Sequence, residues 1–125
     1  MEQIKIELSW PPQELSPNFR GHWAPISRAK KGYRTAARLT AMKALRHAES
    51  FDRFGGVRIT YEFCPPTARA YDRDNLAARM KAATDGISDA LGMNDRGFHF
   101  APVVLGAKEK GGVVRVTIEQ LGGDQ

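Results

Sequence analysis

The stretch Val57-Arg58-Ile59-Thr60-Tyr61-Glu62-Phe63 places an apolar side chain at every second position and a polar one between. That period of two belongs to a strand with one face buried. Gly55-Gly56 before it and Pro65-Pro66 after it mark both ends. Beyond the prolines the period changes. Measured around a helix from Asp74, the residues Leu76, Met80, Ala83, Ile87, Ala90 and Leu91 fall between roughly 160° and 260°. Asp74 or Asn75 suits the N-cap of this helix, and Gly92 suits its stop at about Leu91. A half-buried strand followed by a one-faced helix implies a sheet with helices laid on it.

The flanking sequence extends this pattern. Ile4, Ile6 and Leu8 alternate with Lys5, Glu7 and Ser9, predicting a first strand that ends at Trp10-Pro11-Pro12. A long loop to about Pro25 follows, of a length that often carries function. From Ile26 to about Glu49, Ala, Leu, Met, Lys and Arg dominate. This predicts a helix with Tyr33, Ala37, Ala41, Ala44 and Ala48 near one face and a basic stripe at Lys30, Arg34 and Arg38. Phe98 to Lys108 and Val113 to Leu121 read as two closing strands, and Gly111-Gly112 between them reads as a hairpin turn. Gly122-Gly123-Asp124-Gln125 reads as a frayed tail. The expected fold is α+β: one domain spanning residues 1–125, with a four-stranded mixed sheet, two helices on one face, and the order β-α-β-α-β-β.

Composition narrows the function. Lys and Arg number 19 against 14 Asp and Glu, a net charge of +5, which favours a polyanionic partner. Between Arg20 and Arg46 lie Arg28, Lys30, Lys31, Arg34, Arg38 and Lys43 with no acid among them. Cys64 is the only cysteine, which excludes an intrachain disulfide and a zinc site of several thiolates, and suits a reducing compartment. No stretch has the length of a membrane span and the first residues lack a signal-peptide core, so a cytoplasmic protein with no membrane partner is expected.

Against this basic background stands Tyr71-Asp72-Arg73-Asp74-Asn75-Leu76, with Asp95 further on. Asp72 and Asp74 sit where a loop enters a helix, and alternate residues of an extended segment share a face. A few carboxylates beside a site for phosphate suit a hard divalent cation such as Mg²⁺, with Mn²⁺ as a substitute. Lys81 and Asp85 lie within roughly 20° of Asp74 on the helix wheel, opposite the apolar face. The competing explanation is capping: Asp ahead of a helix contributes about 1 kcal/mol as an N-cap and favours the positive end of the dipole. Asp89 on the same helix reads as a solvated charge. His22, His47 and His99 are too scattered to suggest a metal site.

The set Asp72-x-Asp74-Asn75-Leu76, Lys81, Asp85-Gly86-Ile87 and Leu91-Gly92-Met93-Asn94-Asp95, together with Leu8-Ser9-Trp10-Pro11-Pro12, Asn18 and the Gly-Gly turn, resembles the RusA family of Holliday junction resolvases. The resemblance covers nearly the whole chain. It implies a small homodimer, often phage- or prophage-encoded, that cuts four-way DNA junctions symmetrically with Mg²⁺ in recombination and repair. It implies that Asp72, Asp74 and Asp95 bind metal and take part in catalysis, with Lys81 as the catalytic lysine. Arg79 is the alternative cation for that role, and Asn94 stands where the family often has an acid. DNA contacts are expected from Arg20, Arg28, Lys30, Lys31, Arg34, Arg38, Arg69 and Arg73, mainly to phosphates. Phe19, His22 and Trp23 are candidates to stack on bases at a branch point or, equally, to pack on the protein. Two other functions fit the same residues: a non-catalytic DNA-binding protein of this fold, and a metal-dependent nuclease acting on flaps or forks.

Overall fold

The computed structural model describes residues 2–122, so all but Gly122 of the glycine-rich tail lies outside the described residues. The elements run β1 (Gln3–Ser9), α1 (Trp23–Arg46), β2 (Val57–Cys64), α2 (Arg73–Ala78), α3 (Lys81–Leu91), β3 (Phe98–Phe100), β4 (Val104–Leu105) and β5 (Val113–Gln120). Short 3₁₀ turns at Gln13–Leu15 and Asp95–Gly97 complete them. The α+β reading therefore holds, with a mixed sheet covered on one face by the helices.

Alternation places the core. Ile4, Ile118 and Ile59 stand in register across β1, β5 and β2, as do Ile6, Val116 and Tyr61, and then Leu8, Val114 and Phe63. All nine are buried, and they meet Tyr33, Ala37 and Ala41 of α1 and Leu76, Met80, Ala83, Ile87 and Leu91 of the α2–α3 segment in one cluster. The opposite face carries Lys5, Glu7, Glu62, Arg115 and Thr117. There Arg115 pairs with Glu7 at 3.0 Å and with Glu109.

The arrangement departs from expectation at several points. First, β4 and β5 do not form a hairpin. Both pair with β2, β4 parallel on one side and β5 antiparallel on the other, giving the order β1-β5-β2-β3 with β4 beside β2. Gly111 (φ 78°) and Gly112 (φ 74°) do turn the chain, but the turn passes across the end of β2. Gly106 N–H to the Phe63 carbonyl (2.8 Å) and Glu109 N–H to the Pro65 carbonyl (2.9 Å) hold it there. Second, the expected strand from Phe98 to Lys108 is two short pieces. Pro102 between them has no N–H to give to a ladder.

Third, the second helix is broken. Met80 N–H bonds the Ala77 carbonyl at 3.1 Å, three residues back, and Met80 itself adopts φ −88°, ψ 1° before α3 begins. The apolar stripe alone permits one continuous helix; the break coincides with ties to the N-terminal loop. Asn75 Nδ2 donates to Ser16 Oγ (2.9 Å), and Arg79 donates to Asn75 Oδ1 (3.1 Å) and the Pro11 carbonyl (3.4 Å). The first helix begins earlier than expected, at Trp23, capped by His22 Nδ1, which accepts from Ala24 N–H at 3.1 Å. Pro25 is tolerated there because first-turn N–H groups have no intrahelical partner. No helix among the described residues is long and apolar enough to cross a membrane.

Candidate active site

The acidic motif sits where β2 has ended and α2 begins. Asp72 is the N-cap: its Oδ1 accepts from Asp74 N–H at 2.9 Å and Asn75 N–H at 3.2 Å. Capping is thus a real role of Asp72, and it uses one carboxylate oxygen. Asp74 lies in the first turn of α2, exposed, one helical turn ahead of Ala77 and Ala78.

The helix break makes Lys81 the first residue of α3. A cation at that end opposes the helix dipole, which favours anions there. What compensates is local: Lys81 Nζ lies 2.9 Å from Asp85 Oδ1 and 3.8 Å from Asp95 Oδ2. The hydrogen bond and charge of Asp85, with a further contribution from Asp95, hold the ammonium above its ordinary pKa.

The route that returns Asp95 to this end is now visible. Gly92 ends α3 in the left-handed conformation (φ 65°), Ser88 Oγ donates to the Met93 carbonyl, and Asn94 caps the turn that starts at Asp95 by accepting from Arg96 N–H at 2.9 Å. Asn94, where an acid was the family expectation, therefore has a capping task of its own.

Arg79 and Lys81 take different parts. Arg79 is half-buried, bonded to Asn75 and Pro11, and desolvation lowers its pKa. Lys81 is exposed and faces the carboxylates. Among the described residues, no three His, Cys, Asp or Glu side chains gather closely enough to hold a metal ion between them. The donor chemistry nonetheless suits Mg²⁺: Asp72, Asp74 and Asp95 are exposed carboxylates, and Mg²⁺ is commonly bound through one or two carboxylates plus waters and substrate phosphate. The described residues build no closed protein cage, so Mg²⁺ at these aspartates would need waters and a substrate phosphate to complete its shell.

Between α1 and the α2–α3 segment runs a cleft of about 530 Å³. Lys30, Lys31, Arg34, Arg79 and Lys81 line it, against the single acid Asp85. The expected DNA-binding residues thus divide. Lys30, Lys31 and Arg34 are brought to the cleft, whereas Arg20, Arg28, Arg38, Arg69 and Arg73 are not among its lining residues. Arg34 is also committed to a second partner: its Nε and Nη2 grip Asp89 at 2.8 and 2.9 Å. Asp89 is therefore an ion-pair partner rather than a solvated charge, and Arg34 holds its carboxyl below the usual pKa. Arg69 stacks over the Tyr71 ring at 4.8 Å. Trp23, expected on the loop, instead opens α1 and is 72% exposed.

The Asp85 and Asp89 partnerships differ in how readable they were. Lys81 and Asp85 stand four apart, a spacing that pairs charges on a helix. Arg34 and Asp89 lie on different helices, and only tertiary packing joins them.

No family model matches the chain. It is similar to an uncharacterized protein of Xylella fastidiosa (strain Temecula1 / ATCC 700964), with 39% identity over 113 residues, 90% of this chain and 74% of that protein. By that identity and coverage, the chain belongs to the same family as the Xylella protein.

Proposed function

We propose that the protein is a Mg²⁺-dependent endodeoxyribonuclease of the RusA type, resolving four-way DNA junctions in the cytoplasm as a homodimer. The observation that carries this reading is the position of Lys81, which pairs with Asp85 and Asp95 while opening into the basic cleft. A phosphate drawn in by Lys30 and Lys31 would meet an ammonium beside carboxylates of the kind a phosphodiesterase needs. One or two of Asp72, Asp74 and Asp95 would hold the metal, with waters and a substrate phosphate completing its shell. When bound, Mg²⁺ supplies charge to the phosphate and lowers the pKa of a coordinated water. Lys81 neutralises charge as it builds on the phosphate oxygens, where preorganised donors act most strongly. Two such sites related by a two-fold axis match a junction cut on two strands.

The test is cleavage of a synthetic four-way junction, beside duplex and flap controls, in Mg²⁺ and in EDTA, by wild type and Asp74→Asn. Paired symmetric nicks that require both Mg²⁺ and Asp74 support the proposal. A preference for flaps keeps the nuclease and changes its substrate.

One observation favours a second function. Asp72 caps α2 and the three aspartates form no enclosed metal group, as in a DNA-binding protein without catalysis. Junction binding indifferent to Mg²⁺, with no cleavage in Mg²⁺ or Mn²⁺, would establish that alternative.

A further inference from the structure

Lys81 and Ala78 form a ridge between two recesses. One is the basic cleft; the other, of about 350 Å³, lies on the β3–β4 side and is lined by Tyr61, Ala77, Thr84, Phe100 and Val103, with Asp95 and Lys81 among its walls. This volume falls within the roughly 300–1,000 Å³ of small-molecule sites. The character of the two recesses differs sharply. The first is cationic, whereas the second is mostly aromatic and aliphatic, with Lys81 and Asp95 on its walls.

The polar atoms in the floor of the second recess already have partners. Thr84 Oγ1 donates to the Met80 carbonyl at 2.9 Å, so the 2.6 Å contact to Tyr61 is donated by the phenol. What remains for an occupant is ring surface. Phe100 is 54% exposed, yet its ring is set by neighbours, Tyr61 at 6.1 Å and Phe98 edge-on at 6.3 Å. Ala77 and Ala78, both exposed, leave room above it. An occupant that spans the ridge must therefore be anionic where it meets Lys81 and flat and apolar one group further on. A nucleotide has that form, and a charged groove beside an aromatic platform is how single strands are held.

We propose that this recess receives one unstacked nucleobase, from the nucleotide adjoining the phosphate at Lys81, with Phe100 as its stacking platform. The proposal rests on the nucleic-acid reading of the cleft and adds a base-binding site to it.

The experiment uses a four-way junction carrying 5-iodouracil at successive positions around the crossover, bound in EDTA, irradiated, and mapped by peptide mass spectrometry. A crosslink at Phe100 from one or two positions is expected. Phe100→Ala should lose it and weaken junction binding about tenfold, the effect of removing one base–aromatic stack. The dependence of affinity on salt should stay unchanged, because no phosphate contact is removed. Phe100→Trp should restore binding. Junction binding of full strength by Phe100→Ala, with crosslinks only elsewhere, overturns the base site and leaves the cleft intact. Failure of the wild type to bind any DNA overturns both.

Discussion

Gly86 of α3 lies against the main chain of α1 so closely that a Cβ there would stand 2.2 Å from the Arg34 carbonyl oxygen and 3.0 Å from the Arg38 nitrogen. The two helices touch through their backbones at this point, one residue beyond Asp85 and beside the Arg34–Asp89 pair. The contact sets the distance between the walls of the basic cleft, since Lys30 and Lys31 belong to one helix and Lys81 to the other.

Gly86→Ala is accordingly expected to destabilise. In an open helix the change gains roughly 1 kcal/mol from propensity. Here the methyl group meets backbone that cannot rotate away, and overpacking costs about 1–3 kcal/mol. A lower urea midpoint with an unchanged slope is the predicted result. A raised midpoint would show that α1 and α3 slide apart freely.

Asp72 caps α2, and substitution can separate that cap from the metal role proposed for it. Asp72→Ala removes the cap and should cost about 1 kcal/mol of stability. Asp72→Asn keeps a good cap and removes the charge. If the carboxylate serves catalysis, Asp72→Asn melts like wild type and does not cleave junctions. Equal cleavage by Asp72→Asn and wild type would reduce Asp72 to its cap.

For Lys81, the expected signature is loss of turnover without loss of binding. Lys81→Ala should lower the cleavage rate about 10²- to 10³-fold, the scale seen when one donor to a developing charge is removed. Junction affinity should fall much less, because Lys30 and Lys31 remain in the cleft. Single-turnover cleavage and gel-shift titration on one preparation separate the two. A parallel loss of both would make Lys81 an ordinary phosphate contact.

Two buried phenols give the fold an alkaline limit. Desolvation, with Tyr61 Coulombically opposing ionisation, raises Tyr33 far above its usual pKa, and burial is the main cause that pushes Tyr61 up to about 12. Both ionise more readily unfolded than folded. Their contribution is therefore complete below about pH 10, the ordinary phenol value, and declines as the pH rises through the folded values. Urea midpoints should fall from pH 10 to 12 in wild type and less steeply in Tyr61→Phe. Identical slopes would mean that Tyr61 opens to solvent in the folded state.

The sheet was legible because its alternation is one-sided: Ile4, Ile6, Leu8 and Val57, Ile59, Tyr61, Phe63 all point to the core that period two implies. The neighbours of each strand were not, since a Gly-Gly turn bends the chain whether or not a third strand lies between its arms. Asp72 and Asp74 stood out by charge against a basic chain, and Lys81 and Asp85 by spacing. The break at Met80 left no mark, having neither Gly nor Pro. It coincides with bonds that tie Asn75 and Arg79 to Ser16 and Pro11, far away in sequence. Phe100 reads as a strand residue, and only the recess beside it suggests a further use.

The parallel pairing of β2 with β3, Val57 beside Phe98, has a kinetic consequence. Asp72, Asp74, Lys81 and Asp95 all lie within the crossover between those two strands. The acidic cap can form from local contacts alone, as soon as α2 does. The meeting of Asp95 with Lys81 needs the chain to double back along α3, and β3, which follows Asp95 directly, is anchored by a non-local parallel pairing that is slow to form. The groups proposed to perform the chemistry are thus near in sequence, and a chain halted before β3 docks would retain its basic helix while the segment that carries Asp95 lacks its anchor on β2.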